Sequence, residues 1–421
     1  MTAVAQRPLV VEKYGGTSVG DAARIRLIAE RAARRQRQGD IRVIVVSAMG
    51  DATDELMALA RGVARRPLAH PRELDMLLTA GERISMALLA MAIEDAGGRA
   101  ISLTGSQAAI ITDERHAGAR IREVRADRVL QELESGRVVI VAGFQGMSAR
   151  SEVTTLGRGG SDTTAVALAA ALGARRCDIF TDVAGVFTAD PRRVPEARLL
   201  PRVSYEDMTE LAAAGAQVVH PRAVEIGARF SVPMRVASAT DEREEGGTLI
   251  TGGVSIEGLS LTGLASDAGY AQLVLRGLAE GPRNTARLLV ALAEAGVSVD
   301  MVAHADRADG RRQVQLSVRE ADLEAAAAAC ERTLADAAGE RIDTRLGLAR
   351  VTLVGSGMHD RPGVYATAYD ALFAADIDVL GVSTSSVSIS LLVPAERRDE
   401  TLKLLHAAFH LSAAEADGRA P

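Results

Sequence analysis

Residues 154–192 read TTLGRGGSDTTAVALAAALGARRCDIFTDVAGVFTADPR, and this stretch joins a glycine-rich loop, a helix and a strand in direct succession. Arg158, Gly159 and Gly160 form the tip of the loop, and Asp162 and Thr163 stand where the N-cap of the helix is expected. The free amides and the positive dipole end of such a helix suit an anion, above all a phosphoryl group. An ordinary helix-opening turn would explain one glycine and one cap, but not the whole GRGGSD sequence.

The continuation of this stretch predicts a strand and a second polar loop. The alanine-rich helix is expected over residues 164–172, with Gly173 at its carboxyl end. Residues 177–180 (CDIF) are typical of a short buried strand, and the sequence TDVAGVFTADP leaves that strand as a turn-rich loop.

The residues around this stretch alternate between predicted strands and helices. Strands are expected at 9–11, 41–46, 100–103, 138–142 and 232–238, and helices at 22–37, 54–61 and 72–96. The run IRVIVV at 41–46 is typical of a parallel strand buried on both faces. The order predicts an α/β domain with a mainly parallel sheet and polar loops at the carboxyl ends of its strands.

The polar, glycine-rich residues 240–253 are the best candidate linker, and the first domain is predicted to span residues 1–245. Beyond the linker, two similar units follow at a spacing of about eighty residues, which indicates an internal βαββαβ duplication. We predict two ferredoxin-like domains at 260–340 and 341–421. Small tandem domains of this kind usually bind an effector or mediate association.

Composition limits the class of protein. A chain of 421 residues is expected to form two or three domains, and a net charge of −6 provides no basic face for nucleic acid. Cys177 and Cys330 are far apart in apolar surroundings and predict neither a disulfide framework nor a zinc site. The amino terminus shows no signal pattern, and no uninterrupted apolar run approaches the ~18 residues that would span a membrane. A cytoplasmic protein is expected.

Charged residues next to glycines indicate chemistry on a phosphate. Lys13 precedes Gly15 and Gly16 at the end of the first strand, where backbone amides and one cation can approach phosphate oxygens. There is no Walker loop and no GxGxxG after this strand, which disfavours a nicotinamide dehydrogenase. Glu82 alone could be a solvated helix residue, but Glu82 and Arg158 together offer the partners that an amino acid requires for its ammonium and carboxylate groups.

The histidines show no HxH or HExxH spacing, so a metal held by protein side chains is not indicated, and His220, which precedes a proline, is expected to be structural.

Seven motifs in this order resemble those of the aspartate kinases: KYGGTS, VVSAMGDATDEL, TAGERIS, GFQG, TTLGRGGSDTTAVALAAALGA, TDVAGVFTADPR and GAQVVHPRAVEI. The likeness spans essentially the whole chain. It implies the three-layer α/β sandwich of the amino-acid kinases, with a mainly parallel sheet, followed by tandem ferredoxin-like (ACT) domains. It also implies phosphorylation of L-aspartate by Mg-ATP to 4-phospho-L-aspartate, the first step towards lysine, threonine and methionine.

The resemblance assigns roles to individual residues. Lys13 and Asp162 are the implied catalytic residues: Lys13 neutralises the transferred group, and Asp162 orients Lys13 and the metal-nucleotide. The ATP-binding residues implied besides Lys13 are Tyr14, Gly15, Gly16, Gly160, Ser161, Thr181, Asp182, Phe187, Thr188, Asp190, Arg192 and Gln217. The implied aspartate-binding residues are Thr17, Ser47, Glu82, Arg158 and Gly159. Magnesium would arrive with ATP and keep most of its water.

Some positions depart from the family pattern. Gln217 stands where the family usually has lysine, so weaker ATP binding is expected. The candidate effector residues of the first ACT domain are Glu280, Asn284, Thr285 and His304, and Arg283 replaces a glycine next to them. In the second ACT domain, residues 361–363 (RPG) are kept, whereas residues 383–388 (STSSVS) differ from the family. We expect inhibition by lysine and threonine to be weakened or lost.

Two other functions stay open at this stage. One is a kinase of a different small acid, such as an N-acyl glutamate or a carbamate, although such relatives lack paired ACT domains. The other is a non-catalytic, effector-sensing subunit, which the intact Lys13, Glu82, Arg158 and Asp162 disfavour. The resemblance implies a homo-oligomer formed through the ACT domains. In some relatives a separately made C-terminal subunit joins the assembly.

Overall fold

A computed structural model of the chain describes residues 9–241, 246–253, 260–279, 282–306, 311–334, 341–358 and 363–412. The chain divides into two compact units. The first unit comprises Met1–Val186, Leu199–Ala213 and Gln217–Val254, and the second comprises Phe187–Arg198, Ala214–Ala216 and Ser255–Pro421.

The first unit contains twelve described strands and eight α-helices. Its strands are β1 (Leu9–Tyr14), β2 (Ile41–Val46), β3 (Ala100–Leu103), β4 (Ile110–Thr112), β5 (Ile121–Val124), β6 (Val138–Ala142), β7 (Gln145–Ser148), β8 (Val153–Thr155), β9 (Arg176–Thr181), β10 (Arg202–Ser204), β11 (Met234–Ser238) and β12 (Thr248–Thr251). Its helices are α1 (Ala22–Arg37), α2 (Ala52–Val63), α3 (Pro71–Leu78), α4 (Ala80–Asp95), α5 (Asp127–Glu134), α6 (Gly160–Ala171), α7 (Tyr205–Ala213) and α8 (Pro221–Phe230).

The large sheet of this unit has the strand order β10-β12-β11-β9-β1-β2-β6-β3. Every neighbouring pair in it is parallel except β11 with β12. A second sheet has the order β5-β4-β7-β8. Because side chains alternate along each strand, the large sheet presents one face to α1 and α4 and the opposite face to α6. This is the predicted three-layer α/β sandwich with a mainly parallel sheet.

The helices on the two faces of the large sheet pack in different ways. Ile25, Ile28 and Ala32 form the buried stripe of α1, which packs with Leu89 and Ile93 of α4 over the sheet. By contrast, α6 is buried on all sides over residues 160–169. Most of its residues are small (glycine, serine, threonine and alanine), so this helix can approach the strands closely.

The second unit is built on one antiparallel sheet of six strands, in the order β14-β15-β13-β16-β18-β17. Its strands are β13 (Ser260–Ala279), β14 (Val299–Asp306), β15 (Arg311–Arg319), β16 (Arg341–Ser356), β17 (Gly381–Thr384) and β18 (Ser388–Pro394). Its helices are α9 (Pro282–Glu294), α10 (Leu323–Leu334), α11 (Val364–Phe373) and α12 (Arg398–Ala408).

Two hydrophobic cores divide this sheet across its long strands. Leu264 near the start of β13 packs with α11 and α12, whereas Leu273 and Leu275 further along β13 pack with α9 and α10. Both β13 and β16 therefore serve two βαββαβ domains. The duplication is present, but the predicted division at 340/341 differs from the structure, because the domains are interleaved rather than consecutive.

Several predicted elements agree with the structure, and two differ from it. The bounds of α1, β2, β3 and β6 are those predicted. The helix expected at 72–96 is present as one helical stretch, Pro71–Asp95, which Thr79 divides into α3 and α4. The linker expected at 240–253 contains β12, which pairs with β10 and β11, so the large sheet continues past the predicted boundary at 245. The helix after the glycine loop begins at Gly160, so the expected N-cap at Asp162 is wrong.

Among the described residues, one helical stretch, Pro71–Asp95, is long and apolar enough to cross a membrane, by length and composition only. It corresponds to α3 and α4. Leu78, Leu89 and Ile93 from this stretch are buried inside the first unit, and core helices of soluble proteins satisfy the same test. Cys177 and Cys330 are both free and buried.

Candidate active site

Loops from the carboxyl ends of neighbouring parallel strands contact one another in the first unit. The backbone amide of Ser47, after β2, donates to the carbonyl of Tyr14 at the end of β1 (3.1 Å). The amide of Gly50 donates to the carbonyl of Gly16 (3.1 Å), and a Cβ at position 16 would lie only 2.9 Å from the carbonyl oxygen of Ala48. The glycine predicted to approach phosphate is therefore also required for these two loops to pack.

An ion pair joins β1 to the first turn of α6. Lys13 Nζ lies 2.7 Å from Asp162 Oδ1, and both side chains are largely buried. The backbone amide of His220 donates to the other oxygen of this carboxylate, Asp162 Oδ2, at 3.2 Å. Asp162 is thus held from two sides, and it fixes the position of the Lys13 ammonium beside Gly15, where a Cβ would be 3.3 Å from Nζ.

The N-cap of α6 is Gly159, with φ = 67° in the left-handed region. A Cβ at this position would lie 2.2 Å from the ring of His220, so both the backbone conformation and the close contact require glycine. The His220 ring in turn accepts a hydrogen bond from the amide of Arg222 and caps α8. This capping contact agrees with the structural role expected for His220.

Glu82 and Arg158 carry charges that other described groups do not neutralise. Glu82 is only 4% exposed; its Oε1 accepts from the amide of Ala48 (3.2 Å), and its Oε2 has no hydrogen-bond partner among the described residues. Burial raises the pKa of the Glu82 carboxyl to about 7. Arg158 is exposed, and no ion pair or hydrogen bond of its guanidinium is found within the described part of the chain.

Three further residues expected near aspartate and the phosphates are Thr17, Ser161 and Asp182. Thr17 is exposed, and its carbonyl accepts a hydrogen bond from Arg24. Ser161 lies in the first turn of α6 against the backbone of Gly143, where a Cβ would be 2.6 Å from its Oγ. Asp182 accepts a hydrogen bond from the Thr181 hydroxyl at 3.0 Å.

Tyr14, one of the expected ATP-binding residues, directs its side chain to the face of the sheet opposite Lys13. Its ring stacks on Phe180 with a centroid distance of 4.8 Å, and its hydroxyl donates to Glu12. Only the backbone of Tyr14 therefore takes part in the loop contacts described above. Gln217 is an exposed turn residue of the first unit.

Four expected ATP-binding residues, Phe187, Thr188, Asp190 and Arg192, belong to the second unit. Thr188 is buried there, its Oγ1 3.0 Å from His406 Nε2 of α12, and it accepts a hydrogen bond from the amide of Arg198. Their assignment to the nucleotide stays a prediction.

Of the candidate effector residues, Glu280 lies outside the described residues, and so do residues 361 and 362. Thr285 is in the first turn of α9, with its hydroxyl 3.5 Å from Arg312 Nη1, and Arg312 forms an ion pair with Asp306 at 2.6 Å. His304 is exposed on β14, and Asn284 is half-buried at the start of α9.

Sequence reasoning missed one buried carboxylate close to this site, Asp75 of α3. Its side chain is fully buried and contacts Thr155, directly before the glycine loop. The sequence offers no local signal for it, because its partners are 41 to 80 positions away along the chain. Within the part of the chain that the structure describes, no group of three or more His, Cys, Asp and Glu side chains could hold a metal ion.

Comparison with known families gives the class of protein first. The amino acid kinase family model matches residues 8–238, and an ACT domain model matches residues 351–409. The fold and the paired glycine loops agree with this class, a small-molecule kinase domain followed by ACT domains.

Individual relatives then narrow the class. The chain is 45% identical to the aspartokinase of Mycobacterium tuberculosis, covering 97% of each chain, and 46% identical to that of Mycolicibacterium smegmatis, covering 96% of each. A solved structure of E. coli aspartokinase III in complex with aspartate and ADP matches with a TM-score of 0.78 and 26% identity, over 96% of this chain and 100% of that one. The chain belongs to the aspartokinase family.

Proposed function

We propose that this protein transfers the γ-phosphoryl group of ATP to the side-chain carboxylate of L-aspartate, giving 4-phospho-L-aspartate and ADP. The observation that carries the proposal is that Glu82 Oε2 and the Arg158 guanidinium have no protein partner among the described residues, while Lys13 and Asp162 form an ion pair. The relatives described above are named aspartokinases, and the solved structure of one holds aspartate and ADP.

The Glu82 carboxylate is suited to the α-ammonium group of aspartate, because its Oε2 is buried without a donor. The guanidinium of Arg158 is suited to the α-carboxylate, which it can bind through two parallel hydrogen bonds. Holding both α-groups leaves the side-chain carboxylate as the end of the substrate that is free to react.

The reaction requires no general base. The attacking carboxylate of aspartate, with an ordinary pKa of about 3.9, is already ionised at neutral pH. One carboxylate oxygen of aspartate forms a bond to the γ-phosphorus. At the same time the bond between the γ-phosphorus and the β–γ bridging oxygen breaks, and the bridging oxygen leaves as part of ADP. The protein has to hold two anions in line and neutralise the charge between them.

Lys13 supplies this neutralisation. Its ammonium is fixed by Asp162 next to the glycine loop that follows β1, so it need not reorganise during the transfer. The backbone amides at Gly16 and at the N-terminus of α6 are suited to donate to phosphate oxygens. Magnesium would enter as Mg-ATP, part of the substrate, and would neutralise part of the phosphate charge.

The proposal extends to regulation and assembly. The ACT domains of the second unit are expected to bind lysine or threonine weakly, and to join chains into a homo-oligomer with or without a separate C-terminal subunit. The protein is expected to act in the cytoplasm.

The proposal is tested by measuring ADP release together with hydroxylamine trapping, because an acyl phosphate reacts with hydroxylamine to give a hydroxamate. L-aspartate, L-glutamate and N-acetyl-L-glutamate are compared at equal concentrations of Mg-ATP. We expect aspartyl hydroxamate in proportion to ADP, and much less product from the other two acids. ADP without hydroxamate, or faster turnover with N-acetyl-L-glutamate, would overturn the proposal.

A further inference from the structure

Asp75 is a buried carboxylate that the phosphoryl transfer does not use. Its side chain is 0% exposed, and its two oxygens accept hydrogen bonds from three different groups. The amide of Ala117 lies 3.1 and 3.2 Å from the two oxygens, and the hydroxyl of Thr155 donates to Oδ1 at 2.6 Å. His116 Nδ1 lies 2.7 Å from Oδ2, and the tautomer with its hydrogen on Nδ1 is the third donor to this side chain.

These donors connect α3 to the strand that leads into the glycine loop and to the neighbouring segment at residues 116–117. Thr155 is the last residue of β8, and Arg158 follows it three positions later at the tip of the loop. The segment that contains His116 and Ala117 lies along the same loop: the amide of Ala119 donates to the carbonyl of Thr155 (2.8 Å).

Arg222 fixes the same loop from a second direction. Its Nη1 donates to the carbonyl of Leu156 at 2.6 Å, and its Nη2 donates to the carbonyl of Ala119 at 2.9 Å. The backbone immediately before Arg158 is therefore held by a carboxylate on one helix and by a guanidinium on another. Arg158 itself stays exposed at the tip.

The helix that carries Asp75 is continuous with the one that carries Glu82. Only Thr79 separates α3 from α4, and the carbonyl of the fully buried Thr79 accepts a hydrogen bond from Gln145 Nε2 (3.2 Å). Asp75 thus provides a direct link, through buried groups, between the segment that carries Glu82 and the loop that carries Arg158.

We infer that Asp75 is a positioning residue for substrate recognition, which sets the separation of Glu82 and Arg158 to that of the α-ammonium and α-carboxylate groups of one amino acid. The inference rests on the proposed function. Asp75 acts through its hydrogen bond to Thr155 and does not touch the substrate. Its removal allows the loop to shift, and an error of about 1 Å at a positioning group can cost about 100-fold in rate.

The inference predicts an effect on one substrate only. In Asp75→Asn, which keeps the shape of the side chain but loses the charge and one acceptor, the KM for L-aspartate is expected to rise about tenfold or more. The KM for Mg-ATP is expected to stay within about twofold, because Lys13 and Asp162 are held by separate contacts. Thr155→Val removes one donor to Asp75 and is expected to raise the KM for L-aspartate by a smaller factor. This variant keeps the test valid if Asp75→Asn does not fold.

The control variant is Asp178→Asn. Asp178 is equally buried in the same unit and forms an ion pair with Arg235, away from the glycine loop. The Asp178→Asn variant shows how the loss of a buried carboxylate affects activity through stability alone. We expect its KM for aspartate to be unchanged at a temperature where the variant is folded.

The experiment measures both KM values for the wild-type protein, Asp75→Asn, Thr155→Val, Asp178→Asn, Arg158→Ala and the double variant Asp75→Asn with Arg158→Ala. If Asp75 acts through Arg158, its replacement adds little to the KM of the Arg158→Ala protein. Equal rises in both KM values, a similar rise in Asp178→Asn, or a full additional rise in the double variant would overturn the inference. A wild-type protein that does not phosphorylate aspartate would instead overturn the proposed function.

Discussion

Two groups of charges in the first unit have opposite arrangements. On the face of α1, Glu12, Arg42, Asp178 and Arg235 form what we call the paired cluster: Arg42 bonds Glu12 at 2.6 Å, and Arg235 bonds Asp178 at 2.8 Å. Glu12, Asp178 and Arg235 occupy matching positions on β1, β9 and β11, which places them side by side.

On the other face, Lys13 follows Glu12 by one residue and points to α6. Lys13, Asp162, Glu82 and Arg158 form what we call the open cluster. In it, Glu82 Oε2 and the Arg158 guanidinium find no protein partner among the described residues. We infer two uses of charge from this comparison: the paired cluster serves the fold, and the open cluster is expected to be completed by a ligand.

The largest expected effect is on turnover in the open cluster. Lys13→Ala removes the cation proposed for the transferred phosphoryl group, and we expect kcat to fall about 10³-fold at a temperature where the variant is folded. Single-turnover formation of ADP measures the chemical step. An unchanged rate would show that Lys13 is not part of the reaction and would discard the site.

The paired cluster should respond in stability and not in catalysis. Asp178→Asn leaves the buried Arg235 guanidinium without its carboxylate, and we expect a loss of about 3–5 kcal/mol in the free energy of unfolding. Urea denaturation measures this loss. If stability were unchanged while aspartate turnover failed, the division between the two clusters would be wrong.

The pH dependence of aspartate turnover should distinguish the open cluster further from the paired cluster. Burial raises the pKa of Glu82 to about 7, so its carboxylate is increasingly protonated as the pH falls through 7 and no longer attracts an ammonium group. We expect kcat/KM for aspartate to fall about tenfold from pH 8 to pH 6. Glu82→Gln should be less active at every pH and should lack this step, whereas an identical profile would assign the titration to another group.

The smallest expected effect is regulatory. We expect lysine and threonine at millimolar concentration to change the rate of ADP release by less than about twofold, because residues at both effector loops depart from the family pattern. Strong inhibition at sub-millimolar lysine would show that Arg283 and the serines at 383–388 still permit effector binding.

The sequence predicted the long, regular parts of the fold because their patterns are strong. IRVIVV of β2 and the apolar stripe of α1 are unambiguous, and their bounds are confirmed. The strands β4, β7, β8 and β12 were missed, because three or four partly polar residues carry little signal before the partner strands are known. The sharing of β13 and β16 between two domains is likewise a tertiary property.

In the site, as in the fold, residues marked by local sequence patterns were predicted, and those defined by distant contacts were not. Lys13, Gly16 and Arg158 follow from local glycine motifs and from the family resemblance. The N-cap at Gly159 was missed because Asp162 and Thr163 are more typical capping residues, whereas the contact of Gly159 with His220 is made across 61 positions of the chain. Asp75 was missed for the same reason.

The most direct test of the open cluster compares the melting temperatures of the wild-type protein and Glu82→Gln at pH 8, with and without L-aspartate. The folded-state pKa of Glu82 is raised from 4.5 to about 7, so the stability linked to its protonated form is present at low pH and is lost as the pH rises through 7. At pH 8 without ligand, Glu82→Gln should therefore be the more stable protein, by up to about 3 kcal/mol. Aspartate should raise the melting temperature of the wild-type protein and have little effect on the variant. A variant that is less stable than the wild type without ligand, and that aspartate stabilises equally, would contradict the account.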